Sequence, residues 1–266
     1  MSEIHTFSRP AGADRDNEDA LAVESGIGVV VDGAGLPKQL RGGCRHSVRW
    51  YAQALAAEYG RLLVDRQVQM ASALASAIGR VAARHPECDL AAGSPSATAA
   101  AFRVNGDQLE YLVLCDASII LRTREGAVTE ITDDRLGDLV GPVEAPLTSP
   151  DEIWAARTAV MARTRNRPGG FWCCHHDPGA AAHALVGSYP MAELDGVIAA
   201  SDGATRGHQS LGVLPLEEFA DEVFAGRAAP VADRIRATER DRAEQLRSRA
   251  TKVHDDLTAV WLANRA

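Results

Sequence analysis

Residues 97–115 read ATAAAFRVNGDQLEYLVLC and predict a β-hairpin. Two apolar stretches flank Asn105-Gly106-Asp107, and an Asn-Gly pair between such stretches is a strong short-range signal for a tight turn between antiparallel strands. Two further short strands are predicted directly afterwards, at 118–123 and 128–131. Strands that follow one another through hairpin turns favour antiparallel sheets over alternating βαβ units.

Helices are predicted on both sides of these strands. In the segment 66–85, Met70, Leu74 and Ile78 recur at helical spacing, and Pro86 ends the pattern. The other predicted elements are strands at 20–32, 171–175, 196–201 and 257–262 and helices at 45–64, 150–165, 216–225 and 230–249. Paired helices beside successive strands indicate an α+β fold, in which two antiparallel sheets pack face to face with helices outside, an αββα arrangement.

The composition is that of a soluble globular protein. The 266 residues are 46% hydrophobic and 24% charged, and we expect a single domain over 1–266. The segment 141–180 is rich in proline, which suggests an insertion or flap over a site. The net charge of −8 argues against a nucleic-acid partner. Because no apolar run approaches a membrane span and no signal-peptide pattern opens the chain, we expect a cytoplasmic monomer without a membrane partner.

The cysteines do not indicate a disulfide framework, since there are five of them at irregular positions. The stretch Cys173-Cys174-His175-His176 could supply zinc ligands. Neighbours in a strand face opposite sides, however, so one cysteine and one histidine at most would share an ion, and no second ligand pair stands out. The preferred interpretation is a strand that ends in surface imidazoles.

Basic residues are concentrated between Arg234 and Lys252. Acidic residues, including Glu239 and Glu244, are interleaved with them. Alternating charge of this kind predicts a solvated helix face and not a nucleic-acid-binding arm.

Acidic residues stand where the apolar strands begin or end. Asp32, Asp116 and Asp202 each follow a run of apolar residues, and Asp255 precedes one. An aspartate at a strand end is ordinarily a turn residue. Strand ends of a sandwich can converge at one edge, however, and gathered carboxylates are the hard oxygen ligands that Mg²⁺ and Mn²⁺ prefer. The set therefore predicts a metal site.

Seven short motifs in this order resemble the metal-dependent Ser/Thr protein phosphatases, the PPM or type-2C family. The motifs are NEDA (17–20), VDGAG (31–35), GSPSAT (93–98), CDAS (115–118), ITDD (131–134), SDG (201–203) and DDLT (255–258). Each is weak alone, but the seven follow the family order over nearly the whole chain. The resemblance implies that the substrate is a protein phosphorylated on serine or threonine.

The resemblance also implies a site with two Mn²⁺ or Mg²⁺ ions. Asp32 would bridge the ions, the Gly33 carbonyl would bind one of them, and Asp202 and Asp255 would bind the second. Two such ions lower the pKa of a water that attacks the phosphate ester, so no covalent nucleophile is required. Asp32, Asp202 and Asp255 are therefore the expected catalytic residues.

Two further acidic residues complete the expected ligand set. Glu18 would hold metal-bound waters, and Asp116 would serve with Asp202 a weaker third ion. For Asp19 a structural role is the preferred interpretation. Asp116 lies in Cys-Asp-Ala-Ser, where the family has Gly-Asp-Ser-Arg, which marks a divergent member.

The expected phosphate-binding arginine is displaced by one residue. The family has an arginine four residues before the glutamate, but here that residue is Asp14, and Arg15 is three before Glu18. On an extended segment a one-residue shift moves a side chain to the other face. Arg15 is thus a candidate substrate ligand whose role stays open. Besides a phosphatase for phosphoproteins, the alternatives are a weak or inactive module that senses phosphorylated partners and a phosphatase for small phosphomonoesters.

Overall fold

Within residues 3–34 and 41–264, which the computed structural model describes, ten strands form two antiparallel sheets. The strands are β1 (Ile4–Arg9), β2 (Ala20–Glu24), β3 (Ile27–Ala34), β4 (Ser96–Asn105), β5 (Gln108–Leu114), β6 (Ser118–Thr123), β7 (Val128–Ile131), β8 (Leu185–Pro190), β9 (Leu194–Ala200) and β10 (Leu257–Ala263). One sheet has the order β1-β10-β9-β6-β7 and the other β2-β3-β4-β5-β8. The predicted hairpin is confirmed, with Asn105 paired to Gln108 across the turn.

Eight α-helices accompany the sheets in the described part of the chain. They are α1 (Val48–Leu63), α2 (Met70–Ala82), α3 (Arg135–Glu144), α4 (Pro150–Thr164), α5 (Asp202–Gln209), α6 (Leu216–Phe224), α7 (Ala228–Asp241) and α8 (Ala243–Ser248). None of the described helices is long and apolar enough to cross a membrane.

The layers follow from the alternation of side chains along buried strands. In β3, Val29 and Val31 pack against α1 and α2, whereas Val30 points into the space between the sheets. On the other sheet, Ile198 and Trp261 pack against α6 and α7. The order is therefore helix pair, sheet, sheet and helices, so the predicted αββα sandwich is confirmed.

The strands differ from the prediction at three places. β1 and β8 were not predicted, because β1 alternates polar and apolar residues weakly and β8 contains Gly187 and Pro190. Both are edge strands and depend on pairing with β10 and β5. The strand predicted at 171–175 is wrong: the structure has only isolated bridges there, one of them between Ala97 and Cys174.

The helices differ at three places. α3 and α5 were not predicted, because glycines interrupt both and Pro142 lies inside α3. Packing against neighbouring elements overrides these weak local preferences. The helix predicted at 230–249 is divided into α7 and α8 at Arg242.

Three residues that were predicted to be exposed to solvent are buried. Glu239 is fully buried and Arg236 is nearly so, which the interpretation of 234–252 as a solvated face did not anticipate. His175 is buried and its Nδ1 accepts a hydrogen bond from the backbone of Asp177, so it is not a surface imidazole. Glu239 has Arg206 and His254 as partners from other elements, and the Tyr51 hydroxyl donates to the His175 carbonyl, so long-range contacts contribute to the burial of both residues.

Candidate metal centre

The strand ends bring four aspartates to one edge of the sandwich. Asp32 lies near the end of β3, Asp116 follows β5, Asp202 opens α5 directly after β9, and Asp255 precedes β10. All four line one cavity of about 410 Å³. β3 and β5 belong to one sheet and β9 and β10 to the other. The convergence that the sequence suggested is therefore present in the fold.

Their carboxyl groups are close enough to perturb one another. The side chains of Asp32 and Asp202 are hydrogen-bonded to each other. Burial, followed by the charges of Asp19 and Asp202, raises the pKa of Asp32 well above its ordinary value. Burial and the charge of Asp202 raise the pKa of Asp116 to about 7. Carboxylates held this closely strongly favour positive charge among them.

Asp19 lies beside this group and is buried. Burial raises its pKa to about 7, although hydrogen bonds with Ser201 and Thr258 oppose the shift. Its Oδ2 has no hydrogen-bond partner among the described residues. Asp19 therefore has the structural contacts that the sequence favoured, and its negative charge lies beside the candidate ligands.

Asp255 and Asp256 are adjacent in sequence but make different contacts. Asp255 lines the cavity, whereas Asp256 is buried and holds the N-terminal segment. Its two carboxylate oxygens accept hydrogen bonds from the backbone nitrogens of Ala11 and Glu18, each at 2.7 Å. Asp256 thus fixes the backbone at Glu18, whose own pKa is raised by burial.

Gly33 lies where the chain passes closest to this segment. A Cβ at residue 33 would collide with Val48 and with the carbonyl oxygen of Glu18, so only glycine fits. Gly35, the last residue of the motif at 31–35, lies outside the described residues.

A buried ion network, which the sequence did not predict, supports the loop before β10. Glu239 accepts hydrogen bonds from Arg206 at 2.9 Å, from Arg236 at 2.6 Å and from His254 at 2.6 Å. Arg236 also donates to the backbone carbonyl of Asp255. A charge on α7 therefore determines where Asp255 sits.

Lys252 was also missed. Its Nζ donates to Asp255 Oδ1 at 2.8 Å, although its side chain is half exposed. Desolvation opposes its charge, but Asp255 and other carboxylates of the cluster outweigh desolvation and raise the pKa of Lys252. A lysine three residues before a candidate ligand was the available signal in the sequence.

Arg15 is exposed and lies in a turn, where its backbone nitrogen donates to the Gly12 carbonyl at 3.2 Å. It lines a second cavity, of about 320 Å³, together with Glu18, Lys252 and Asp255. The segment is therefore not the extended strand for which a one-residue shift would change faces. The turn places Arg15 at a groove that two candidate ligands share.

The donor atoms suit a hard divalent cation. Glu18, Asp32, Asp116, Asp202 and Asp255 offer carboxylate oxygens, and Gly33 offers a carbonyl. Among the described residues that line the cavity, Cys115, Met161 and Cys173 carry sulfur, but they belong to an apolar cluster with Phe171 and are not part of this set. An all-oxygen set fits Mg²⁺ or Mn²⁺.

Helix α4 covers one side of the larger cavity. Trp154, Arg157 and Met161 of this helix line it. Arg157 donates to the carbonyl of Ala250 at 2.9 Å, which ties α4 to the loop that carries Lys252. The segment 141–180, expected to be a flap, thus contributes a helix to the wall of the cavity.

The sequence matches the family model "Protein phosphatase 2C" over residues 12–248. No curated protein matches it. Among solved structures, it is similar to the serine/threonine phosphatase Stp1 from Staphylococcus aureus, with 14% identity, a TM-score of 0.57, and coverage of 100% of this chain and 96% of that chain. It is also similar to PstP/Ppp from Mycobacterium tuberculosis, with 17% identity, a TM-score of 0.58 and coverage of 98% of each chain. A PstP catalytic domain, also 17% identical and with a TM-score of 0.58, covers 98% of this chain and 97% of its own and was solved in complex with two manganese ions. At these identities the likeness supports the fold.

Proposed function

The chain belongs to the protein phosphatase 2C family, and from this we propose that it hydrolyses phosphoserine or phosphothreonine esters in proteins with the help of two Mn²⁺ or Mg²⁺ ions. Family and fold together support a metal-dependent phosphatase. The substrate class and the number of ions are our proposal, and the PstP domain with two manganese ions supports the latter.

The observation that carries the proposal is the meeting of Asp32, Asp116, Asp202 and Asp255 in one cavity. Asp32 would bridge the ions with help from the Gly33 carbonyl, Asp202 and Asp255 would hold the second ion, Glu18 would hold water, and Asp116 would contribute to a third site. Bound ions would supply an activated water and neutralise the charge of the phosphate.

The remaining residues prepare the site for a phosphate dianion. Lys252 is charged and placed against Asp255, where it reduces the repulsion among the carboxylates. Arg15 reaches the adjoining groove and would form charge-assisted hydrogen bonds to the phosphate. Trp154 and Met161 of α4 form an apolar side of the cavity and would contact the peptide around the phosphorylated residue.

The direct test is hydrolysis of an aryl phosphate and of phosphorylated peptides with Mn²⁺, with Mg²⁺ and with EDTA. The Asp32→Asn variant should lower turnover at least about a hundredfold, as expected for loss of a ligand charge. Because asparagine can keep the hydrogen bond to Asp202, the fold should survive. Asp107→Asn, in the exposed hairpin turn, is the matched control and should be fully active. Activity that persists after exhaustive chelation would contradict the proposal.

A second candidate function is a module that binds phosphorylated partners without turnover. Cys115 favours it, because this residue replaces the glycine of the family motif and adopts φ +66°, which costs a side-chain-bearing residue about 1–2 kcal/mol. Asp116 is the next residue, so the altered motif affects a candidate ligand. Binding of a phosphopeptide at micromolar concentration with no release of phosphate would favour the module, and preference for a small ester over peptides would favour a small-molecule phosphatase.

A further inference from the structure

Four soft ligands meet at the ends of α1 and α2. Cys44 and His46 lie in the loop before α1, and His85 and Cys88 follow α2. Their ligand atoms all lie within 4.8 Å of one another. None of the four lines the cavities that contain the acidic residues. The cluster is therefore separate from the candidate metal centre.

The distances within the cluster match the edges of a small tetrahedron. Cys44 Sγ lies 3.5 Å from His46 Nδ1 and 3.2 Å from His85 Nδ1, and Cys88 Sγ lies 3.6 Å from His46 Nδ1. A tetrahedral zinc ion with Zn–S near 2.3 Å and Zn–N near 2.0–2.1 Å gives sulfur–nitrogen edges of about 3.6 Å.

Hydrogen bonds alone account poorly for these contacts. The Nδ1 atom of His46 lies near both sulfurs, yet a neutral imidazole nitrogen has either one proton or one lone pair. It therefore cannot form a good hydrogen bond with Cys44 and Cys88 together. A cation at the centre of the four atoms satisfies all of them at once.

The surroundings hold the ligands in place. The backbone nitrogen of Cys88 donates to the His85 carbonyl at 3.1 Å, which forms the turn that presents both residues. The ring of Trp50 packs against His46 at 4.3 Å and against His85 at 4.8 Å between centroids. The backbone nitrogen of His46 donates to Cys44 Sγ at 3.3 Å, a contact that stabilises a thiolate. His85 is buried, whereas the other three ligands are partly exposed and leave a route of entry.

Two contacts tie the loop before α1 to the segment after α2. Arg45 forms an ion pair with Glu87. A Cβ on Gly43 would collide with the carbonyl oxygen of Asp89, so the two backbones touch there. The ligand pairs are thus brought together by the fold and not by the side chains alone.

We propose that Cys44, His46, His85 and Cys88 bind one Zn²⁺ in a structural site. Two thiolates and two neutral imidazoles complete a tetrahedron of protein ligands, and a closed shell of this kind leaves no position for substrate. The ion clamps the start of α1 to the end of α2.

The test is metal analysis of the reduced protein purified without added metal. We expect one zinc per chain, at least about a hundredfold weaker binding in Cys88→Ser, as for loss of a direct ligand, and no loss in Cys174→Ala. Cys174→Ala is the matched control, because it removes one of the thiols that lie outside the cluster. Zinc retained in Asp202→Asn would show that the ion is not held by the acidic centre.

Two measurements on the unaltered protein keep the test decisive if Cys88→Ser does not fold. X-ray absorption should show sulfur at about 2.3 Å and nitrogen at about 2.0–2.1 Å around zinc. Exchange with Co²⁺ should give a sulfur-to-cobalt charge-transfer band, which an all-oxygen site cannot produce. Reduced protein that binds neither ion through sulfur would overturn the proposal.

Discussion

Replacement of Glu239 by glutamine tests whether a buried charge holds the loop that carries Asp255. The substitution keeps the shape of the side chain and removes its charge. Glu239 is fully buried and accepts from Arg206 and Arg236, which are themselves nearly buried. In Glu239→Gln, the guanidinium groups of Arg206 and Arg236 would share one neutral amide oxygen. The NH₂ group of the glutamine would face one of the two guanidinium groups, from which it cannot accept a hydrogen bond.

The expected cost is about 3–5 kcal/mol, the range for breaking a buried ion pair on one side. A domain of ordinary stability, about 5–15 kcal/mol, would remain folded under native conditions but would unfold at much lower urea. Because Arg236 also donates to the carbonyl of Asp255, Mn²⁺ affinity should fall as well.

Equilibrium urea unfolding of the metal-free protein measures the first effect, and calorimetric titration with Mn²⁺ measures the second. Glu218→Gln is the matched control, since Glu218 forms a partly exposed pair with Arg234 and should change stability by less than about 1 kcal/mol. If Glu239→Gln shifted the unfolding free energy by no more than this control, the network would not support the loop.

Three further predictions concern the acidic centre. Mn²⁺ affinity should rise between pH 6 and pH 8, because the candidate ligand Asp116, with a pKa of about 7, must lose its proton before it binds a cation, and Asp19, also with a pKa of about 7, gains a negative charge beside the site over the same range. The same raised values mean that the ion-free protein loses stability as pH rises from about 4 to 7, since only the folded state keeps these protons; calorimetry in two buffers would detect proton release, and its absence would contradict the assignment. Asp255→Asn should lower turnover at least about a hundredfold with unchanged secondary structure by circular dichroism, and a mild effect would remove it from the site. Arg15→Ala should raise KM without changing Mn²⁺ affinity, whereas an unchanged KM would show that Arg15 does not contact the phosphate.

The fold could be predicted because its strongest signals are local. The Asn105-Gly106 turn and the helical spacing of Met70, Leu74 and Ile78 depend on neighbours in sequence, and the backbone geometry of turn and helix converts them directly into local structure. The strand-end aspartates could be predicted as one metal site for a similar reason. Their positions next to apolar runs are enough to place Asp32 and Asp202 at strand ends, although they do not give the distance between the two residues.

The elements that the sequence did not predict lack such a signal. β8 contains glycine and proline and exists because the edge of β5 offers hydrogen bonds to it. α5 has two glycines and exists because it packs against β10 and the buried Arg206 pairs with Glu239. In both cases partners distant in sequence outweigh local preference.

Long-range proximity decided the remaining features. His46 and His85 are 39 positions apart, and only the packing of α1 against α2 brings them and the two cysteines within reach of one ion. The burial of Glu239 likewise depends on Arg206 and His254, which approach it from other parts of the fold. A sequence pattern records which side chains are apolar or charged, but the pairing of charges and ligands depends on distances that are set only when distant segments pack together.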